Sequence, residues 1–391
     1  MAYTAKCDTA SATKWWITGT GTGGVNRLAV VLTDNPSGVE ENDNPGNYQP
    51  WSTFMTETVE DAVYLIHLYL EIGDGTTATT LTSLNEMVYF DGCGFRTLSA
   101  ATCTLGALDT SWGKQGSTWF LNLAANHNLI GTSDTTAAIN LYDSEIKLLS
   151  GYYLYFRRGT FVGRNFKLNA NINGNQRIYF EANCALDWKS GFLSGWTAVN
   201  YFSNPTNYED IHTNKNTYGV TIQMSSTLLN PIITASWTGV YLQNSADLIA
   251  NLINPTIDAT VPVTIGHATG IINEQYTVNI TVVDKNGTGI VGATVACAGS
   301  DSGTASEEYD TVGFTTADTG ASGVLAPQTV TAKKWVGTSE TLTNYNYFKF
   351  TITEPGYETL VMEKVTIDAP IVWHLELQPI KHPVGIWMDE R

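Results

Sequence analysis

Between about residue 80 and residue 270 the chain alternates short apolar runs with small polar turns. The runs include Met87-Val88-Tyr89-Phe90, Tyr152-Tyr153-Leu154-Tyr155-Phe156 and Arg177-Ile178-Tyr179-Phe180, then Val199-Asn200-Tyr201-Phe202, Val220-Thr221-Ile222-Gln223 and Val240-Tyr241-Leu242-Gln243. Runs of four or five residues bounded by Gly, Asn, Asp or Ser predict strands, because a helix needs a longer periodic stretch to bury a face. Two echoes give the strands a period. Gly219-Val220-Thr221-Ile222-Gln223 returns as Gly239-Val240-Tyr241-Leu242-Gln243, a spacing of 239 − 219 = 20 residues. Asn230-Pro231-Ile232-Ile233 returns as Asn254-Pro255-Thr256-Ile257, with 254 − 230 = 24. A period of this length with two or three strands in it matches one rung of a parallel β-helix, in which each strand pairs with its counterpart one turn away. An antiparallel sandwich with evenly spaced hairpins is the alternative. The solenoid is favoured because the repeat keeps residue identity as well as hydrophobicity. Gly and Asn at the corners suit the left-handed backbone angles that tight rung turns require.

Upstream the pattern is less regular. Trp15-Trp16-Ile17 and Leu28-Ala29-Val30-Val31-Leu32 are isolated apolar runs separated by Gly19-Thr20-Gly21-Thr22-Gly23-Gly24, and residues 34–50 form a polar stretch rich in Asn, Pro and Gly. A loop of that length suits contact with a partner. In residues 58–72, Thr58 and Asp61 fit a helical capping box. The alternation of Val63, Leu65, His67 and Tyr69 with Tyr64, Ile66, Leu68 and Leu70 fits a strand buried on both sides. The turn Gly73-Asp74-Gly75 that follows favours the strand. Downstream, Tyr276 to Val283 alternates as a strand and is followed by a turn on Asn286-Gly287 that returns into Ala293-Thr294-Val295-Ala296.

Composition supports a β reading. Only 15% of residues are charged and the chain holds 35 glycines, which suits strands and turns better than surface helices. The expected class is therefore all-β. Residues 1–75 form an irregular N-terminal arm, 76–272 a parallel β-helix, 273–380 a β-sandwich and 381–391 a C-terminal tail. The net charge of −17 argues against nucleic acid and against an anionic membrane surface as partners. The N-terminus lacks the apolar core of a signal peptide, and no run of about 18 apolar residues marks a membrane span. Five cysteines without CxxC spacing, Cys7, Cys93, Cys103, Cys184 and Cys297, are expected to be buried free thiols of a chain made in the cytoplasm.

The C-terminal segment resembles the carboxypeptidase-regulatory-like, transthyretin-like Ig-type domain. The likeness is carried by Asp284 and Gly287, by Gly292-Ala293 and by Gly356-Tyr357. The Thr-Asp-x-x-Gly element of that pattern is altered here, since Ala317-Asp318-Thr319-Gly320 is followed by an extra Ala321-Ser322-Gly323. The resemblance covers roughly a quarter of the chain and implies a seven-stranded sandwich acting as a spacer or display module without an active site.

Chemistry-bearing patterns are sparse. The glycine run at residues 19–24 lacks the Gly-Lys-Ser/Thr ending of a phosphate loop. The histidines His67, His127, His212, His267, His374 and His382 form no metal-binding spacing, and no cofactor is expected. A glycosidase needs two carboxylates about 5 to 9.5 Å apart. The carboxylates available to such a role are Asp143, Glu145, Glu181, Asp187, Glu209, Asp210 and Asp247, with Glu145 and Glu181 near comparable rung positions and Arg157-Arg158 able to serve an acidic sugar. Edge and turn roles explain them as well, and no catalytic residue is expected. Tyr152, Tyr153, Tyr155, Trp188, Trp196, Tyr201 and Trp237 are aromatics that either stack on sugars or fill rung cores. Trp335, in the polar stretch Lys333 to Glu340, is the expected exposed aromatic of the sandwich. Asn279-Ile280-Thr281 and Asn286-Gly287-Thr288 match a glycosylation sequon only by letter.

A right-handed β-helix joined to an Ig-like module resembles the virion proteins of tailed bacteriophages, in architecture and not by any motif across residues 1–270. The resemblance implies a non-catalytic capsid decoration (cement) protein, made in the host cytoplasm and exposed on the particle. Its partners would be its own copies in a homotrimer and the major capsid protein or other virion proteins. The alternatives are a tail-fibre protein binding cell-surface glycans and, less favoured, a polysaccharide depolymerase.

Overall fold

The computed structural model describes residues 3–7, 14–19, 27–30, 62–66, 69–72, 76, 78–83, 87–91, 94–107, 116–123, 125–171, 175–201, 207–300, 309, 311–345 and 347–380. The described residues are strands and turns with one short 3-10 turn, Ala321–Gly323. No helix among them is long and apolar enough to cross a membrane. The chain forms two compact units. The first holds residues 1–250, 256–271 and 337–340, and the second holds 251–255, 272–336 and 341–391.

The first unit is a parallel β-solenoid with three stacked sheets. In the first sheet Thr118 pairs with Glu145, Glu145 with Lys167, Lys167 with Phe192, Phe192 with His212, His212 with Ile232 and Ile232 with Thr256. The successive differences along that register are 27, 22, 25, 20, 20 and 24 residues, so the two periods legible in the sequence are the lengths of late rungs. The second sheet stacks Leu154–Phe156 on Ile178–Phe180 and continues through Val199, with Val220, Val240 and Val263 in the same column downstream. The third stacks Thr102–Leu105 on Ala138–Leu141, Thr160–Arg164 and Ala185–Lys189. Strand Tyr153–Arg164 serves the second sheet with its first residues and the third with its last. It bends at Gly159, whose φ of 73° and contact with the Ala137 carbonyl leave no place for a Cβ.

Alternation explains the core. In Tyr153–Arg164 the side chains of Leu154, Phe156 and Phe161 point inward while their neighbours Tyr153, Tyr155, Thr160 and Val162 stay part-exposed. Inside, the rings of Phe161, Phe166, Phe180 and Tyr208 surround Trp188 with centroids 4.8 to 5.3 Å away. Each buried ring removes a large apolar area from water, and tilted or edge contacts add to that.

One corner repeats a special conformation on successive rungs. Asp143, Asn165, Ser190, Asp210 and Asn230 have φ of 50°, 50°, 55°, 55° and 49°, and Asn254 repeats it at 52°. Asn and Asp tolerate this left-handed region because their side chains hydrogen-bond locally. Here they also bond from rung to rung: Asn165 Nδ2 donates to Asp143 Oδ1, and Asn230 Nδ2 donates to Asp210 Oδ1 at 3.0 Å. The expectation of Gly and Asn corners holds for Asn, with Asp and Ser added.

The irregular arm is a correction. The described residues of 1–75 form the strands Tyr3–Cys7, Lys14–Gly19, Arg27–Val30, Ala62–Ile66 and Tyr69–Ile72. Lys14–Thr18 pairs in parallel with Ala62–Ile66, which pairs with Met87–Asp91 of the solenoid, and Arg27–Val30 joins the second sheet through Tyr69–Ile72. Parallel partners lie a whole rung apart in sequence, so no local alternation or hairpin turn announces the pairing. Within residues 58–72 the described parts, Ala62–Ile66 and Tyr69–Ile72, are strands, and residues 58–61, 67 and 68 lie outside the described residues. Tyr3–Cys7 runs antiparallel to Lys14–Gly19. Residues 34–50 and the tail 381–391 lie outside the described residues, as does the glycine run beyond Gly19.

The second unit fits a sandwich. One layer is a four-stranded antiparallel sheet in the order Thr311–Asp318, Thr294–Ser300, Tyr347–Thr353, Leu360–Val365. The other includes Ile271–Val283 paired in parallel with Ile371–Glu376, and Gln328–Val336 paired with Thr341–Asn344. Val278, Ile280, Val282, Val295, Phe348, Phe350 and Ile352 fill the space between. Gly287 has φ of 77°, and Asp284 Oδ1 accepts from the Asn286 and Thr288 amides at 2.8 Å each, closing the turn expected there. The extra Ala321-Ser322-Gly323 becomes the 3-10 turn, whose backbone lies so close to Gly289 that no side chain fits there. Trp335 is the second correction, since it is 7% exposed. Lys333 and Lys334 both face outward, which resets the alternation and turns Trp335 inward.

Candidate functional site

The outer surface of the second sheet carries a cluster of polar and aromatic side chains. Strand alternation that buries Leu154 and Phe156 leaves Tyr153, Tyr155 and Arg157 outside, and one rung on it buries Ile178 and Phe180 while leaving Arg177, Tyr179 and Glu181 outside. The parallel register then puts Tyr153 beside Arg177 and Tyr155 beside Tyr179. The rings of Tyr155 and Tyr179 stack with centroids 4.9 Å apart and 12° between planes. Arg157 lies 4.4 Å above the Tyr155 ring, donates from Nε to Asn128 Oδ1 at 2.7 Å and pairs with Glu181. Arg177 lies 5.7 Å from the Tyr153 ring, and its Nη1 reaches the Tyr179 hydroxyl at 3.4 Å. Its buried Nε has no partner among the described residues.

Electrostatics follow from this packing. The hydrogen bond to Tyr179 holds Arg177 above its ordinary pKa. Burial, followed by the neighbouring Tyr179, raises that of Tyr155. A second aromatic group lies on later rungs, where Tyr218 contacts Trp237 at 5.1 Å and Tyr241 at 5.7 Å. Trp237 is 49% exposed.

Among the described residues six of the seven candidate carboxylates have side-chain partners of their own. Glu145 accepts from Asn169 Nδ2 at 2.7 Å on the first sheet, whereas Glu181 pairs with Arg157 at the end of the second-sheet strand, so their comparable rung positions do not bring them together. Asp187 pairs with Arg164 at 2.5 Å and Glu209 with Lys189 at 3.0 Å on the third sheet. Asp143 and Asp210 accept from Asn165 and Asn230 in the corner, and Asp247 stands in a turn with φ of 59°. Arg158 is part-exposed and pairs by register with Asn183.

Of the aromatics named from sequence, Tyr152, Tyr153, Tyr155 and Trp237 face outward. Trp188 and Trp196 are core residues at 0% and 1% exposure, and Trp196 Nε1 donates to the Leu168 carbonyl at 2.8 Å. The side chain of Tyr201 lies outside the described residues. Sequence reasoning missed Arg177, Tyr179, Tyr218 and Tyr241 as members of an outer face. The available signal was the 24-residue spacing of Tyr155 and Tyr179, one rung at the same strand position.

Elsewhere, His127 bonds the Phe95 carbonyl at 2.6 Å, and burial lowers its pKa to about 4. Cys103, Cys184 and Cys297 are buried free thiols; burial raises all three, Cys184 and Cys297 to about 12. Among the described residues no group of three or more His, Cys, Asp and Glu is placed to hold a metal ion.

No family model matches the chain, and no curated protein does. Solved structures with a weak likeness include wild-type catechol 1,2 dioxygenase of Acinetobacter radioresistens and a mutant of it. Each is 16% identical, with TM-scores of 0.20 and 0.21, over 28% and 30% of this chain. The chain spans about half the length of those structures, 53% and 56%. Likeness at that TM-score carries no argument about fold or activity.

Proposed function

We propose that the chain is a non-catalytic structural protein of a tailed-bacteriophage virion, a homotrimeric capsid decoration protein that displays an Ig-like module of the carboxypeptidase-regulatory type. The observation that carries the non-catalytic part is the fate of the carboxylates. Asp143, Glu145, Glu181, Asp187, Glu209 and Asp210 each bond a side chain one rung away. Used this way they tie rungs together, which supports a scaffold role for them. A stack of rungs held by its own core and by these ties is a scaffold that needs no ligand.

Association of copies is supported by apolar side chains on the outer surface of the first sheet. Met87 and Ile232 are 40% and 43% exposed there, and Phe120 stacks on Tyr89 at 4.4 Å. Surfaces of this kind mark contacts between proteins. In this reading the partners are further copies and the major capsid protein, and neither nucleic acid nor membrane is engaged. The Ig-like assignment rests on the turn at Asp284 and Gly287, the Gly292-Ala293 return and Gly356-Tyr357.

The test is proteomic analysis and antibody-gold labelling of density-purified particles from the source of the sequence. The reading requires the chain at many copies per particle with label on the capsid. Absence from the particles removes it, and label confined to the tail replaces it with the tail-fibre reading.

A further inference from the structure

We propose that the tyrosine–arginine face of the second sheet binds an acidic oligosaccharide. The inference stands apart from the virion reading, since the face lies within one unit and its chemistry is independent of where the protein resides.

Charge complementarity selects the ligand class. The chain carries a net charge of −17, so most of its surface repels a polyanion. Cations gather at this face. Arg157 is neutralised by Glu181, while among the described residues Arg177 has no carboxylate partner. Arg177 has the features of a waiting donor. Tyr179 holds one end, the Tyr153 ring flanks it, and its buried Nε lacks an acceptor. The planar guanidinium of this part-exposed arginine, free of a carboxylate partner, fits a ligand carboxylate or sulfate in a forked geometry.

The tyrosines argue for a sugar. Tyr153, Tyr155 and Tyr179 are fixed by one another, with Tyr153 5.7 Å from Tyr179 and 6.4 Å from Tyr155. A held aromatic surface with hydroxyls loses little side-chain freedom on binding, and it offers both an apolar contact for sugar C–H groups and hydrogen-bonding edges. A nucleic acid is a poor occupant, because its phosphates need many more cations than two.

The experiment uses the full chain and calorimetric titration with three acidic probes, an oligogalacturonate, an oligosialate and a sulfated glycosaminoglycan oligomer, beside an uncharged glucan oligomer. The expected result is binding of at least one acidic probe, weakening with added salt, and none of the glucan. Arg177→Gln lowers that affinity about tenfold or more, as loss of a charged hydrogen bond does. Tyr179→Phe, which removes only the hydroxyl holding Arg177, lowers it several-fold and keeps the fold if Arg177→Gln does not. Lys189→Gln, on the third sheet, leaves binding unchanged. No binding of any acidic probe overturns the proposal, as does wild-type affinity in both Arg177→Gln and Tyr179→Phe. Self-association that is lost on Arg177→Gln, without glycan binding, also overturns it and assigns the face to contacts between copies.

Discussion

At Asn230 the φ of 49° and the bond to Asp210 decide what the corner tolerates. A β-branched residue is strained there, so Asn230→Val is expected to destabilise the first unit by about 1–2 kcal/mol or more, while Asn230→Gly costs less. Urea denaturation followed by tryptophan fluorescence separates the two. His127 sets a pH dependence. Its pKa falls from 6.5 to about 4 on burial, so between these values the unfolded chain takes up a proton that the native chain resists. Its contribution to stability is complete above pH 6.5 and is lost as pH falls toward 4. His127→Gln should flatten the urea midpoint across that window, and an unchanged slope would contradict the assignment. Much of the corner was legible because Asn-Pro recurs at 24 residues. Asp143 and Ser190 were not, since nothing in their letters separates a left-handed corner from an ordinary turn.

Among the elements, the strands around Trp188 carry the largest core. Trp188→Ala should cost about 3–5 kcal/mol through lost transfer energy and the cavity left among Phe161, Phe166, Phe180 and Tyr208. Thiol labelling tests the same packing, because Cys103, Cys184 and Cys297 should stay unmodified by an alkylating reagent until the chain unfolds. The strands were readable wherever an apolar run ended in Gly, Asn or Asp. Lys14–Gly19 and Arg27–Val30 were seen as apolar runs and not as rungs, because their partners begin at residues 62 and 69. Trp335 was misplaced for a local reason, the paired outward lysines before it. Arg177 and Tyr179 were read as strand residues, and only the register brings them against Tyr153 and Tyr155.

For the whole molecule, separate cores predict separate unfolding. Calorimetry should resolve more than one transition, with Trp188→Ala lowering one and Thr319→Val lowering another. The buried Thr319 hydroxyl donates to the Ile290 carbonyl at 2.6 Å and accepts from the Ala293 amide at 3.0 Å. Losing both bonds should cost about 1–3 kcal/mol. A single transition moved equally by both substitutions would mean that the units melt as one. The class and the solenoid were legible because repetition is a global signal that survives local ambiguity. Function was less so, since the side chains grouped on the outer face lie a rung apart in sequence and share no local motif.

The corner asparagines also bear on how the protein ages. Deamidation begins when the backbone nitrogen after an asparagine attacks its side-chain carbonyl. Asn230 and Asn254 are followed by Pro231 and Pro255, whose nitrogens carry no hydrogen and block that route. Asn286 is followed by Gly287 in an exposed turn, where the route is open. Chemical wear should therefore accumulate at Asn286 in the sandwich while Asn230 and Asn254 stay intact over long storage.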